Sequence, residues 1–296
     1  MAMQWKKGCP MRKTTLAAMT LAVTMLVGCS QALTPLVPAA SIGAMSRAAT
    51  ALSTGIPHIR VFRGVKRADV AYGSFVADLS KRFIPAAPQT HAKNGLVAYL
   101  PALPPQPKPA GIADEFAIVV YESADVYAQA KATPEGQAYS DLHWELFDKA
   151  ASKSTSAVNL ESTENAIKAD IAYDLMQKAT DWQTGQATFS IGTRLKTVAA
   201  GEFLGRLTQH VQHVRTAFGP LGLDGYVVVA TPDQEVAFMH WSSEQAAEQA
   251  HASTQGKAVA AERQALMAGL ASASAKPFAG TIAAGQVVNV KFQKRH

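Results

Sequence analysis

The stretch YESADVYAQAKATPEGQA at residues 121–138 returns as WSSEQAAEQAHASTQGKA at residues 241–258. Ser123, Gln129, Ala130, Ala132, Gly136 and Ala138 recur as Ser243, Gln249, Ala250, Ala252, Gly256 and Ala258, each 120 positions on. Upstream, Gly73, Phe75 and Leu79 recur as Gly201, Phe203 and Leu207, 128 positions on, while Glu115 and Ala117 recur as Glu235 and Ala237, again 120 on. The register changes where the first half carries PALPPQPKP (101–109) and the second only a tight turn, TPDQ (231–234). One loop insertion accounts for most of that change, so the chain reads as an internal duplication.

Periodicity gives each half the same order of elements. In the first, β-branched and aromatic residues make His58–Val65 a strand. Tyr72, Phe75, Val76, Leu79 and Phe83 share one helical face within Ala68–Phe83, with Pro85 as the stop. Strands follow at Gly95–Leu100 and Glu115–Tyr121. A helical region runs from Ser123 to about Lys149, broken where Thr133 caps a helix begun by Pro134. The second half repeats this with a strand at Ala187–Leu195, a helix at Val198–Phe218, strands at Gly225–Ala230 and Glu235–Trp241, and a helical region from Ser243 to about Leu270. A fourth strand is expected at Gln286–Phe292, with SAVNL (156–160) as its weaker counterpart.

This order is βαββαβ twice, the ferredoxin-like pattern. The expected fold is therefore α+β: two fused ferredoxin-like units, 56–162 and 185–296, joined by a linking helix over 163–184. An antiparallel sheet with helices on one face needs a cover on the other. Two such sheets in one chain can cover each other and close an intramolecular α/β barrel. The stretch EVAFMHWSSEQAAEQAHAS (235–253) resembles the third strand and following helix of the antibiotic-biosynthesis-monooxygenase-like branch of the dimeric α/β-barrel superfamily. That superfamily holds cofactor-free quinone-forming oxygenases, haem-degrading proteins and members without known activity. The resemblance puts Trp241 at a cofactor-contacting position and His251 at a catalytic or haem-ligating one. The first half has Tyr121 and Lys131 there, so such a role belongs to the second half alone, and a position that accepts Lys or His also suits a solvated flank.

The N-terminus is an address. Met11-Arg12-Lys13 precedes an apolar run, Leu16–Val27, too short to span a bilayer as a stop-transfer helix. It ends in Leu26-Val27-Gly28-Cys29, which resembles the lipobox of bacterial lipoproteins. The resemblance implies a signal peptide over 1–28, lipidation of Cys29 and a membrane anchor through it. Ser30 after the cysteine implies the outer membrane, periplasmic face, over the inner membrane or cell surface. Residues 29–55 are rich in Ala, Ser, Thr and Pro and read as a tether.

Composition then excludes several classes of function. Losing Lys6, Lys7, Arg12 and Lys13 with the leader takes the net charge from +6 to +2. No basic cluster alternates with aromatics, so a nucleic-acid partner is not expected. Cys9 leaves with the leader and Cys29 is acylated, so the fold has no disulfide, thiolate metal site or cysteine nucleophile. No HExxH, GxSxG or Gly-rich phosphate loop is present.

The remaining candidates are histidines. His240 shares a strand face with Phe238, opposite Met239 and Trp241. It is a candidate catalytic base, with His251 the other; the plain alternative is a satisfied core residue. His210 and His213, three apart on a helix, suit a solvated flank better than a metal, and His143-Trp144 reads as helix packing. No metal is expected, and haem only through the superfamily resemblance. Two functions follow: a lipid-anchored envelope module that binds a small apolar ligand or an envelope protein, or an enzyme resembling the cofactor-free oxygenases or haem degraders.

Overall fold

The computed structural model describes residues 57–293. The leader, the tether and Cys29 lie outside the described residues. Among those described, no helix is long and apolar enough to cross a membrane.

The first unit begins with β1 (His58–Gly64), followed by α1 (Tyr72–Asp78), a π turn (Leu79–Phe83) and α2 (Ile84–His91). Next come β2 (Leu96–Ala102), β3 (Glu115–Tyr121), α3 (Ala124–Ala132), α4 (Pro134–Leu146) and β4 (Lys153–Asn159). Its strands lie in the order β2-β3-β1-β4, as a ferredoxin-like unit requires. After β5 (Ala172–Asp174), the second unit has β6 (Gln186–Arg194), α5 (Ala200–Phe218), β7 (Leu223–Thr231) and β8 (Gln234–Trp241). It continues with α6 (Glu244–Ala252), α7 (Thr254–Leu266) and β9 (Met267–Ser274). Its order, β7-β8-β6-β9, repeats the first. The chain closes with β10 (Lys276–Pro277) and β11 (Val288–Asn289).

Short strands join the two units on both sides. β5 runs parallel to β4 and antiparallel to β7. On the opposite side β10, which continues β9 after Ala275, runs parallel to β11. The β11 segment lies antiparallel along β2 through an Ala102–Val287 bridge, with Leu103 N–H donating to Gln286 at 2.8 Å and Val290 N–H to Tyr99 at 3.1 Å. No strand edge is left between the units, so the sheet closes into a barrel, which removes the hazard of exposed edges. Residues of both units fill the interior, among them Val61, Ile118, Phe116, Phe189, Phe238 and Val227. Each unit also packs its helices on the outer face of the sheet, around Phe75, Phe83 and Phe147 in the first and Phe203, Val211 and Phe218 in the second.

Four expectations are corrected. The linking helix over 163–184 is absent: a 3₁₀ turn (Leu160–Thr163) leads into irregular chain and β5. Glu164, Asn165, Asp170 and Gln177 have positive φ, which breaks any helix there, and pairing with β4 and β7 captures 172–174 as a strand. The fourth strand of the second unit is Met267–Ser274, not 286–292, and the helix before it ends at Leu266. MAGLASAS has helical propensity, but antiparallel pairing with β6 along its length overrides it. The segment around β11 instead closes the barrel. Finally, Pro85 does not end the first helix, which continues to His91. A proline has no N–H for an i−4 bond. The preceding π turn loosens the ladder there, with Ile84 N–H bonding back to Leu79.

That π turn completes the account of the repeat. The helix Tyr72–His91 is one residue longer than Ala200–Phe218. The offset accordingly falls from 128 at Phe75/Phe203 to 127 at Gly95/Gly222, before the proline-rich loop lowers it further. A single inserted residue is absorbed as a π bulge, a feature that recurs at functional sites.

Candidate functional site

Each unit forms a cavity between the outer face of its sheet and its helices. The first, of about 190 Å³, is walled by aromatic rings. The helix with the π turn supplies Phe83 and His91, the strands supply Phe62, Tyr99 and Tyr121, and α4 supplies Tyr139 and His143. Phe83 stacks on Tyr139 at 5.1 Å and meets His143 edge-on at 4.4 Å; His91 meets Tyr139 edge-on at 5.0 Å. These geometries are the favourable aromatic ones. At the mouth, the Arg60 guanidinium lies 4.5 Å from the Tyr127 ring centre, beside Lys131.

Burial keeps the polar groups of this cavity uncharged at neutral pH. His91 and His143 are each lowered to about 4 by desolvation. The Nδ1–H of His143 donates to the Tyr139 carbonyl at 3.0 Å, which leaves Nε2 with its lone pair. Behind the cavity, Glu115 is fully buried and pushed up to about 8 by desolvation, partly offset by a hydrogen bond to the Tyr99 hydroxyl. Tyr99 and Tyr139 are raised well above the usual phenol range by burial.

The second cavity, of about 500 Å³, occupies the same place in the other unit and differs in chemistry. Glu235 stands where Glu115 does, and Tyr226 where Tyr99 does, by strand register. Arg263 of α7 replaces His143 and approaches Glu235 to 3.6 Å. Thr188 and Ser190 replace Arg60 and Phe62 on the first strand and pair directly with Ser274 and Ser272 of β9. His210, buried on α5, also lines it, with its pKa lowered chiefly by desolvation.

The expected residues fall in different places. His251 lines the second cavity, its ring 5.3 Å from both Phe218 and Trp241, and packing lowers its pKa. Trp241 is fully buried between Phe218 and His251, its indole N–H without a hydrogen-bond partner. His240 points into the barrel with Phe238, as expected, but lines neither cavity. Its Nδ1 bonds the Asp224 carboxylate and its Nε2 the Thr184 carbonyl at 2.7 Å. Both nitrogens are thus engaged by groups of the protein itself. Trp182, expected in the linking helix, packs against His240 at 5.4 Å and fills the barrel end. Gly225 admits it: a Cβ there would lie 2.8 Å from the indole.

His210 and His213 both turn to Glu262, at 3.6 and 2.8 Å. Among the described residues no group of three His, Cys, Asp or Glu is arranged to hold a metal. Haem does not fit the residues present. The aromatic cavity is too small for a macrocycle, and the one with His251 sets Glu235, Glu244 and Glu248 beside its apolar Val214, Phe218 and Met239, a poor match for haem's own carboxylates. Sequence reasoning missed Tyr99, Glu115 and His91, and their counterparts Tyr226, Glu235 and Arg263. One signal was present: an acid repeated inside two apolar strands, Glu115 and Glu235.

No family model and no curated protein matches the chain. Solved structures share the shape distantly. A candidate monooxygenase from Lactobacillus acidophilus is 11% identical over 80% of this chain and 100% of its own, with a TM-score of 0.37. A monooxygenase-like protein from Listeria innocua is 10% identical over 71% and 85%, at 0.32. An anthrone oxidase-like protein is 11% identical over 74% and 88%, at 0.31.

Proposed function

We propose that the chain is a lipid-anchored envelope protein that takes up a small apolar aromatic molecule in the cavity of its first unit. The observation that carries this is the wall of aromatic rings around about 190 Å³, with every buried ionisable group near it held neutral. An apolar cavity of about 150 Å³ takes benzene, so this one suits a ligand of one or two rings. The lipobox-like run ending at Cys29 supports the anchor, and the tether supports display away from the membrane.

The test is calorimetric titration of the full chain, in detergent, with 2-naphthol. Saturable binding at one equivalent, abolished by Ala87→Phe in the cavity wall and by Lys131→Trp at its mouth, is the expected result. Absence of binding to the folded chain refutes the reading. Cys29→Ser is expected to move the protein out of the membrane fraction.

A second reading, a cofactor-free oxygenase, has one observation in its favour. The Nε2 lone pair of His143 sits in the aromatic cavity, where it can accept a hydrogen bond from a bound phenol and orient its ring. Oxygen uptake with hydroquinones, lost in His143→Phe, supports it; no uptake removes it.

A further inference from the structure

The cavity of the second unit has the opposite chemistry, and its unmet hydrogen bonds describe a ligand. Two deeply buried polar side chains on its wall have an atom without a hydrogen bond: Tyr226 Oη and Glu235 Oε2, on residues 0% and 2% exposed. Arg263 Nη2 is a third such atom. Buried polar groups in folded proteins are nearly always satisfied, so three unmet hydrogen bonds on one wall need an explanation.

The Arg263–Glu235 gap is instructive. At 3.6 Å the two attract, but the separation is too long for a hydrogen bond. A group that accepts from the guanidinium and donates to the carboxylate would satisfy both. A hydroxyl does so; an ionised carboxylate or an ammonium can serve only one side. Across the cavity, Thr188, Ser190, Ser272 and Ser274 present four hydroxyls in two cross-strand pairs, each able to donate or accept. Exposed Glu244 and Glu248 at the rim repel anions. In the first unit Ser154 and Ser156 match the two serines of β9, but Arg60 and Phe62 stand where Thr188 and Ser190 do, so the complete set of four hydroxyls is particular to the second.

We propose that the cavity of the second unit binds an uncharged polyhydroxylated molecule of saccharide size, gripped through hydroxyls by Tyr226, Glu235 and Arg263. Its volume of about 500 Å³ is within the usual range of small-molecule sites. The site is separate from the aromatic cavity and does not depend on what that cavity binds.

The test is calorimetric titration of the full chain with glucose, N-acetylglucosamine and sucrose, with citrate and spermidine as charged comparators. At least one neutral saccharide is expected to saturate and the charged solutes not to. Tyr226→Phe removes only a hydroxyl that has no protein partner, so the fold and melting temperature are expected to hold. Affinity for the saccharide falls about tenfold, as loss of one good hydrogen bond implies. Glu235→Gln keeps the shape and is expected to weaken binding similarly, while 2-naphthol binding is unchanged in both. Saccharide binding that is indifferent to Tyr226→Phe overturns the proposal. So does saturation by citrate or spermidine alone, or no binding of any neutral saccharide at millimolar concentration.

Discussion

The two cavities are the same frame carrying opposite chemistry. A buried glutamate on the third strand and a tyrosine on the second stand at equivalent places in both units, Glu115 with Tyr99 and Glu235 with Tyr226. What differs is the residue at the matching position of the helix above. In the first unit it is His143, neutral among aromatic rings, and the acid, bonded to Tyr99, is held protonated by burial. In the second it is Arg263, which supplies a positive charge to the acid. One helix position, aided by Phe62 against Ser190 and Arg60 against Thr188, thus separates an apolar pocket from a polar one. A duplicated fold keeps its barrel and lets the two outer faces diverge, because the barrel interior and the cavities lie on opposite faces of the sheet.

The largest effect that sharpens this contrast is expected at Glu115. Its carboxyl ionises near 4.5 in the unfolded chain and at about 8 in the fold. Between those values the unfolded state has released the proton and the folded state has not, so stability falls as pH rises from 4.5 to 8, then levels. Linkage sets this loss at up to about 5 kcal/mol. Glu115→Gln removes it: urea denaturation is expected to show the variant gaining on wild type across that window, most above pH 8. A constant difference between pH 5 and 9 would show that Glu115 is not buried in this way.

Arg263→Met breaks the contrast from the other side. It leaves Glu235 buried without its cation, which costs about 3 kcal/mol at pH 8 for an ion pair of this kind. Glu235→Gln in the same background removes the stranded charge and is expected to recover part of that cost. Urea denaturation reads both variants, and an Arg263→Met chain as stable as wild type would contradict the assigned pairing.

A smaller, matched effect tests the shared frame. Gly136 and Gly256 sit where α4 and α7 start, capped by Thr133 and Ser253. A Cβ at either would meet the carbonyl oxygen of Ala130 or Ala250 at 2.2 or 2.1 Å, and backbone cannot move aside as a side chain can. Gly136→Ala and Gly256→Ala are each expected to cost about 2 kcal/mol, the scale of overpacking. Thermal melts in which only one of them destabilises would end the equivalence of the two turns.

The frame was legible in the sequence because it depends on periodicity. The apolar stripe of α5, the β3 and β8 runs, and the Thr133-Pro134 break each follow from local spacing. Elements held by pairing alone were not. β5 is three residues long, and β9 is an Ala-rich stretch that only the ladder of β6 makes a strand. The π bulge follows from one extra residue, too small a change to read without knowing that the helix passes Pro85. For the sites, the repeated acids could be seen but not their surroundings, since Arg263 reaches Glu235, and His143 the aromatic cavity, from helices whose facing only the fold settles. His240 pointed inward as its strand alternation required, yet its two acceptors come from Asp224 and Thr184, on other elements.

The central claim is that one chain carries two cavities of different chemistry, and stoichiometry tests it most directly. Native mass spectrometry of the full chain with 2-naphthol is predicted to show one bound molecule, lost in Ala87→Phe and kept in Tyr226→Phe. Two equivalent molecules per chain, or a single one lost in Tyr226→Phe and kept in Ala87→Phe, would contradict it.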